Sequence, residues 1–179
     1  MPKITNADEY EKLSKERLIE LARLYGRLAL ALDGLWFLGV ERTRGTAEAI
    51  RLDEDVWRQF GTIEAKSLMR FLSTDRVASL DEIASIYLLT PVFGNLGGRA
   101  ETTGRTLLLS VTDCRPQKAR IRKGLGEFPC KDVGRAYFGS LLAEMNPGIA
   151  FRCVVCPPDE HPDDLWCQWE VRMHGGDGR

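Results

Sequence analysis

The spacing of apolar residues changes once along this chain, and that change limits what it can fold into. Leu18, Leu21, Ala22, Tyr25, Leu28, Ala29, Leu32 and Trp36 recur at steps of three and four, the period of one helix face. Val56, Trp57, Phe60, Ile63, Leu68, Phe71 and Leu72 give a later stretch a buried side of the same kind. After the turn-forming run Gly94-Asn95-Leu96-Gly97-Gly98 the period drops to two, and Leu107, Leu109 and Val111 alternate as one face of a strand does. Helices first and strands second is an α+β pattern: N-terminal helices packed with a C-terminal antiparallel sheet that carries an inserted helix.

Local signals set the expected boundaries. The first long helix should run from about residue 6 or 14 to about residue 39. Thr46 should cap a short helix to Ile50, and Asp53 the next one. Ser79-Leu80-Asp81-Glu82 is a capping box, and the helix it opens should stop before Pro91. Residues 99–103 should pair with the strand at 106–112 by turning at Gly104. Residues 116–122 read as a short basic helix. Phe128-Pro129-Cys130 opens a helix to about Met145, and residues 149–155 and 165–172 read as a hairpin. No polar linker divides the helical half, 1–93, from the sheet half, 94–173, so one domain over 1–173 is expected, with 174–179 a disordered tail.

Five cysteines stand in the second half. The N-terminal run lacks the apolar core of a signal peptide. Residues 28–40 are apolar but contain Asp33, too short and polar a stretch to span a bilayer. The expected location is therefore the cytoplasm, where cysteines serve as metal ligands, reactive thiols or core filler rather than disulfides. Cys153 and Cys156 form a Cys-x-x-Cys pair, Cys167 follows eleven residues later, and Cys130 precedes the pair by 23. A bend supplies two ligands, a returning strand a third, and a helix N-terminus, which favours thiolate, a fourth. Four such ligands suit a tetrahedral structural zinc. Arg152 and Arg135 are near enough in sequence to offset its charge. The alternative is four buried thiols acting as small hydrophobes.

That cysteine order resembles the 4-vinyl-reductase type domain, found in the aromatic-sensing modules of phenol-responsive activators. Its superfamily shares a fold with haem-dependent nitric-oxide sensors and TRAPP vesicle-tethering subunits. The resemblance covers residues 99–173 and implies a structural zinc. The family has an acidic residue where this chain has Cys153. Asp33-Gly34-Leu35-Trp36-Phe37 with Asp53-Glu54-Asp55-Val56-Trp57 resembles an uncharacterised prokaryotic family of small cytosolic proteins. Val111-Thr112-Asp113-Cys114 with Cys130-Lys131-Asp132 is similar to L-2-amino-thiazoline-4-carboxylic acid hydrolases.

Other residues are candidates for a ligand site. Trp36, Phe37, Trp57 and Phe138 belong either to ordinary core or to an apolar pocket. Asp33 interrupts an apolar stretch, so it caps a helix end, reaches solvent or faces that pocket, with Glu41 beside it. Cys114 follows a strand and precedes a basic run, which would lower a thiol pKa, but a nucleophile needs a base and only His161 and His174 exist. So few histidines also exclude a catalytic triad or a multi-histidine metal site. No phosphate-loop or dinucleotide glycine motif is present. The 25 basic and 26 acidic residues nearly cancel, which argues against a dedicated nucleic-acid binder. The sequence thus points to a binding or sensing protein for a small apolar or aromatic molecule, with a structural zinc and the possibility of a homodimer. A hydrolase using Cys114 or an open metal position is the alternative, and a transcriptional regulator or its effector domain a third.

Overall fold

The computed structural model describes residues 5–173. Six helices and four strands follow one another as α1 (Asn6–Glu11), α2 (Lys15–Arg44), α3 (Thr46–Phe71), α4 (Leu80–Leu89), β1 (Gly98–Thr103), β2 (Thr106–Val111), α5 (Arg115–Arg122), α6 (Lys131–Met145), β3 (Ile149–Val155) and β4 (Cys167–Met173). The fold is α+β, with the helices N-terminal and one antiparallel sheet in the order β1-β2-β4-β3. The expected disordered tail lies outside the described residues.

Caps start the helices at the expected serines. The Ser14 hydroxyl accepts from Arg17 N at the start of α2, and Ser79 accepts from Glu82 N at the start of α4. Glu82 returns to the Ala78 N–H at 2.7 Å, one residue before the cap. The β1–β2 hairpin turns at Gly104 as expected. Two boundaries differ. Helix α2 runs through Gly39 to Arg44, and α3 is unbroken from Thr46, so neither the short helix to Ile50 nor a cap at Asp53 exists. A glycine inside a helix costs only about 1 kcal/mol, which a long helix absorbs. The chain reverses instead at Gly45, whose φ of +86° suits glycine.

One core joins the helices to the sheet: Ala65 and Met69 of α3, Ile83 and Tyr87 of α4, Leu107, Leu109, Trp169 and Val171 of the sheet, and Tyr137, Phe138, Leu141, Leu142 and Met145 of α6. Helix α6 lies between α3 and the sheet. A Cβ at Gly61 would stand 2.3 Å from Ser140 Oγ and 2.7 Å from the Tyr137 carbonyl, so only glycine lets α3 approach α6 this closely. On the sheet side Phe138 stacks on Trp169, centroids 4.9 Å apart. Tyr87 donates to the Ser110 carbonyl at 2.8 Å and ties α4 to β2. No helix among the described residues is long and apolar enough to cross a membrane.

Helix α2 carries a correction. Its apolar stripe does not face this core. Only Gly26 and Leu30 are buried, while Leu28, Leu32, Leu35 and Trp36 are 54–69% exposed.

Candidate functional site

The reversal at Gly45 brings the C-terminal part of α2 alongside the first half of α3, and α5 stands across from them. Between these helices lies a cavity of about 690 Å³. Leu30, Phe37 and Phe128 give it apolar walls, Asp33 and Asp53 supply carboxylates, and Arg115, Lys118 and Lys123 of the α5 segment supply cations.

Arg120 fixes one wall. Its Nη1 and Nη2 donate to the two carboxylate oxygens of Glu41 at 2.7 and 3.0 Å, a fork-to-fork pair with both side chains largely buried. Its guanidinium also lies 5.6 Å from the Phe37 ring and 5.9 Å from that of Phe128. The hydrogen bonds from Arg120 hold the Glu41 carboxyl below its ordinary range, against the opposing effect of burial. Helix α5 is thereby tied to α2 by one arginine between two rings.

Asp33 and Asp53 behave differently. Burial pushes Asp33 up to about 6, and the Trp57 side chain opposes it. Burial pushes Asp53 up to about 7, the neighbouring Asp33 charge adds to the rise, and Trp57 again opposes it. The two carboxyls thus change charge near neutrality on a shared apolar wall.

The candidate residues divide. Asp33 and Phe37 line the cavity, Trp57 faces both carboxyls, and Glu41 locks Arg120. Trp36 and Phe138 do not join them. Trp36 is 69% exposed, because it stands on the outer side of α2, and Phe138 is 1% exposed, because α6 is enclosed on two sides. Sequence reasoning misses Asp53 as a partner of Asp33. The signal is present in two carboxylates and a tryptophan within apolar helices, but their pairing depends on where α2 turns.

The cysteines form a second cluster. Cys130 is the N-cap of α6, and its Sγ lies 3.7 Å from that of Cys156, just past the end of β3. Cys156 also lies beside Cys167. The contact between the two thiols lowers the Cys130 pKa and raises that of Cys156. Cys153 is more open, and burial raises its pKa while Lys131 opposes this. Among the described residues, no three His, Cys, Asp or Glu side chains are arranged to hold a metal ion. Arg152 is engaged by Glu170 at 3.0 Å, and the cation nearer the thiols is Lys131, which pairs with Asp159. Asp159 in turn accepts from the Cys156 N–H at 3.3 Å. Gln117, which no motif in the sequence singles out, bonds both backbone groups of Phe128 and reaches Cys130 Sγ at 3.5 Å, so it links the cavity wall to the thiols.

Cys114 has the opposite character to a nucleophile. Its thiol is enclosed, and burial pushes its pKa well above the ordinary thiol range despite the basic residues that follow. His161 lies against Trp166 and 3.6 Å from Glu127. The basic run is also partly neutralised, since Lys118 pairs with Asp113 and Arg120 with Glu41.

No curated protein matches the chain. One family profile does, and it spans residues 11–173, which takes in the cavity, the thiol cluster and the whole sheet. The chain therefore belongs to the family of unknown function DUF6125.

Proposed function

We propose that this chain is a binding or sensing protein for a small molecule with an apolar or aromatic body, and that its cysteines hold a structural zinc in a reducing cytoplasm. The observation that carries the proposal is the cavity between α2, α3 and α5. Its volume suits a drug-sized ligand, and its few polar groups converge on apolar walls. Cations on α5 suit an acidic group at one end of such a ligand. The Asp33–Asp53 pair suits a group that shares a proton near neutrality. A hydrolase reading gains no nucleophile from Cys114, whose thiol is held protonated.

One thiol pair has a separation that zinc ligation would suit. Ligands about 2.3 Å from a tetrahedral zinc stand about 3.8 Å apart, and the Cys130–Cys156 pair stands at 3.7 Å. All five cysteines are free. Closing a four-thiolate site requires Cys153 and Cys167 to draw further onto that pair. Gln117 would then connect the metal-bound end of α6 to the cavity wall at Phe128.

Two measurements test this. An anilinonaphthalene sulfonate, an aromatic body with one anionic group, should bind the wild-type chain and lose at least tenfold affinity in Gly34→Phe. A Cβ at Gly34 meets nothing within 4 Å, so the ring can enter the cavity without disturbing α2. Equal binding by both proteins contradicts the cavity as the site. Elemental analysis with thiol counting should give one zinc per chain that is lost in Cys156→Ser. Metal-free protein with reactive thiols throughout contradicts the zinc and leaves the cavity reading standing.

A further inference from the structure

Helix α2 has two faces that meet different surroundings. Gly26, Leu30, Asp33 and Phe37 lie toward the rest of the molecule. A Cβ at Gly26 would stand 2.1 Å from the Pro91 carbonyl oxygen, so the helix backbone itself touches the body there. The other side carries Leu18, Leu21, Tyr25, Leu28, Leu32 and Leu35, of which Leu35 also stands on the rim of the cavity. Their spacing is three, four, three, four, three, the a/d repeat of a two-stranded coiled coil.

Among the described residues most of this seam is open to solvent, with the Tyr10 hydroxyl of α1 lying 3.4 Å from that of Tyr25 near one end. Leu18, Tyr25, Leu28, Leu32 and Leu35 are 39–68% exposed, and Trp36 beside them is 69% exposed. The flanking positions are Arg17, Ala22, Leu24, Ala29, Ala31 and Trp36, and only Arg17, beside Leu18 in the first turn, is charged. Glu20, Arg23 and Arg27 fall on the remaining sides of the helix. The three alanines leave room for a second helix to come close.

We infer that this seam is the contact between two copies of the chain in a two-fold homodimer. The choice of occupant follows from the pattern and the area. Knobs and holes repeated along one helix are filled by the same set on its two-fold mate, so the surface is complementary to itself. The exposed apolar area of the seam is on the order of 700 Å² per chain, near the roughly 800 Å² each partner gives to a standard interface and above what a typical monomer leaves open. An anionic membrane suits the helix less well. Its polar side carries both signs, with Arg17 paired to Glu20, rather than a row of cations.

The test is the mass of the full chain in solution by light scattering at about 50 µM, a concentration at which a specific dimer of this size should persist. The wild type should have twice the chain mass. Leu28→Glu with Leu32→Glu should have one chain mass with an unchanged near-ultraviolet spectrum, since both side chains face solvent in the single chain. Leu32→Lys alone should shift the mass the same way, so the result does not depend on one variant folding. Arg23→Glu, on a side away from the seam, should remain a dimer. A wild type at one chain mass overturns the inference, whether or not it binds anionic vesicles or another protein. So does a Leu28/Leu32 variant that folds and stays dimeric.

Discussion

Helices α6 and α2 are both amphipathic in sequence, and they end in opposite surroundings. Helix α6 has 15 residues and buries Val133, Tyr137, Phe138, Leu141, Leu142 and Met145 between α3 and the sheet. Helix α2 has 30 residues and buries only Gly26 and Leu30, keeping its richest apolar face outside. An apolar stripe therefore says that a face seeks cover, without saying from where. In α6 the cover is the same chain. In α2 the inward side is the poorer one, and that side forms the cavity wall and holds Asp33.

The comparison breaks most directly at the two stripes. Phe138→Ala should cost about 4 kcal/mol, seen as a large fall in the denaturation midpoint, because it empties a site with neighbours on every side. Leu32→Ala should cost no more than about 0.5 kcal/mol in dilute chain, since it removes little from a core. Equal losses would mean that the α2 face is internal after all.

Charge gives a second contrast. Glu64 of α3 is almost fully enclosed, accepts from the Tyr137 hydroxyl, and has Oε1 unpaired. Burial pushes it up to about 7, with the Tyr137 bond opposing. The folded state thus holds this proton where the unfolded chain, titrating near 4.5, has released it. Stability should fall as pH rises from about 4.5 to about 7 and level off above, by at most about 3 kcal/mol from this group. Glu64→Gln should flatten that slope and be about 2 kcal/mol more stable than wild type at pH 8 by urea denaturation. A variant with the wild-type pH profile would place the titration elsewhere.

Two glycines of α2 sharpen the contrast within one helix. Gly26→Ala should destabilise by about 2 kcal/mol, because its Cβ would meet backbone that cannot turn aside. Gly34→Ala should stabilise by about 0.5–1 kcal/mol, because its Cβ meets nothing and alanine favours helix. Thermal melts of the two variants should shift in opposite directions.

Much of the fold was legible in the sequence because its signals are local. The period-two run at Leu107, Leu109 and Val111, the turn at Gly104, the cap at Ser79 and the start of α6 at Cys130 each depend on a few neighbouring residues. The helical hairpin was not, because its turn rests on which of two glycines, Gly39 or Gly45, takes a positive φ. That one unknown displaced the rest. With Gly45 as the turn, Asp53 stops being a cap and becomes the neighbour of Asp33, and Trp36 moves outside while Phe37 lines the cavity. Gln117 was invisible because its role depends on a loop folding back over α5.

The central claim is that the space between α2, α3 and α5 receives a small molecule. Amide chemical shifts of the isotope-labelled chain, recorded while a series of aromatic carboxylic acids is added, test it directly, whatever the natural ligand. The account predicts that at least one compound moves a cluster of amides around Gly34, Leu38, Ala119 and Phe128 and leaves Leu28 and Leu32 unmoved. Shifts confined to the outer face of α2, or scattered without a cluster, would contradict it.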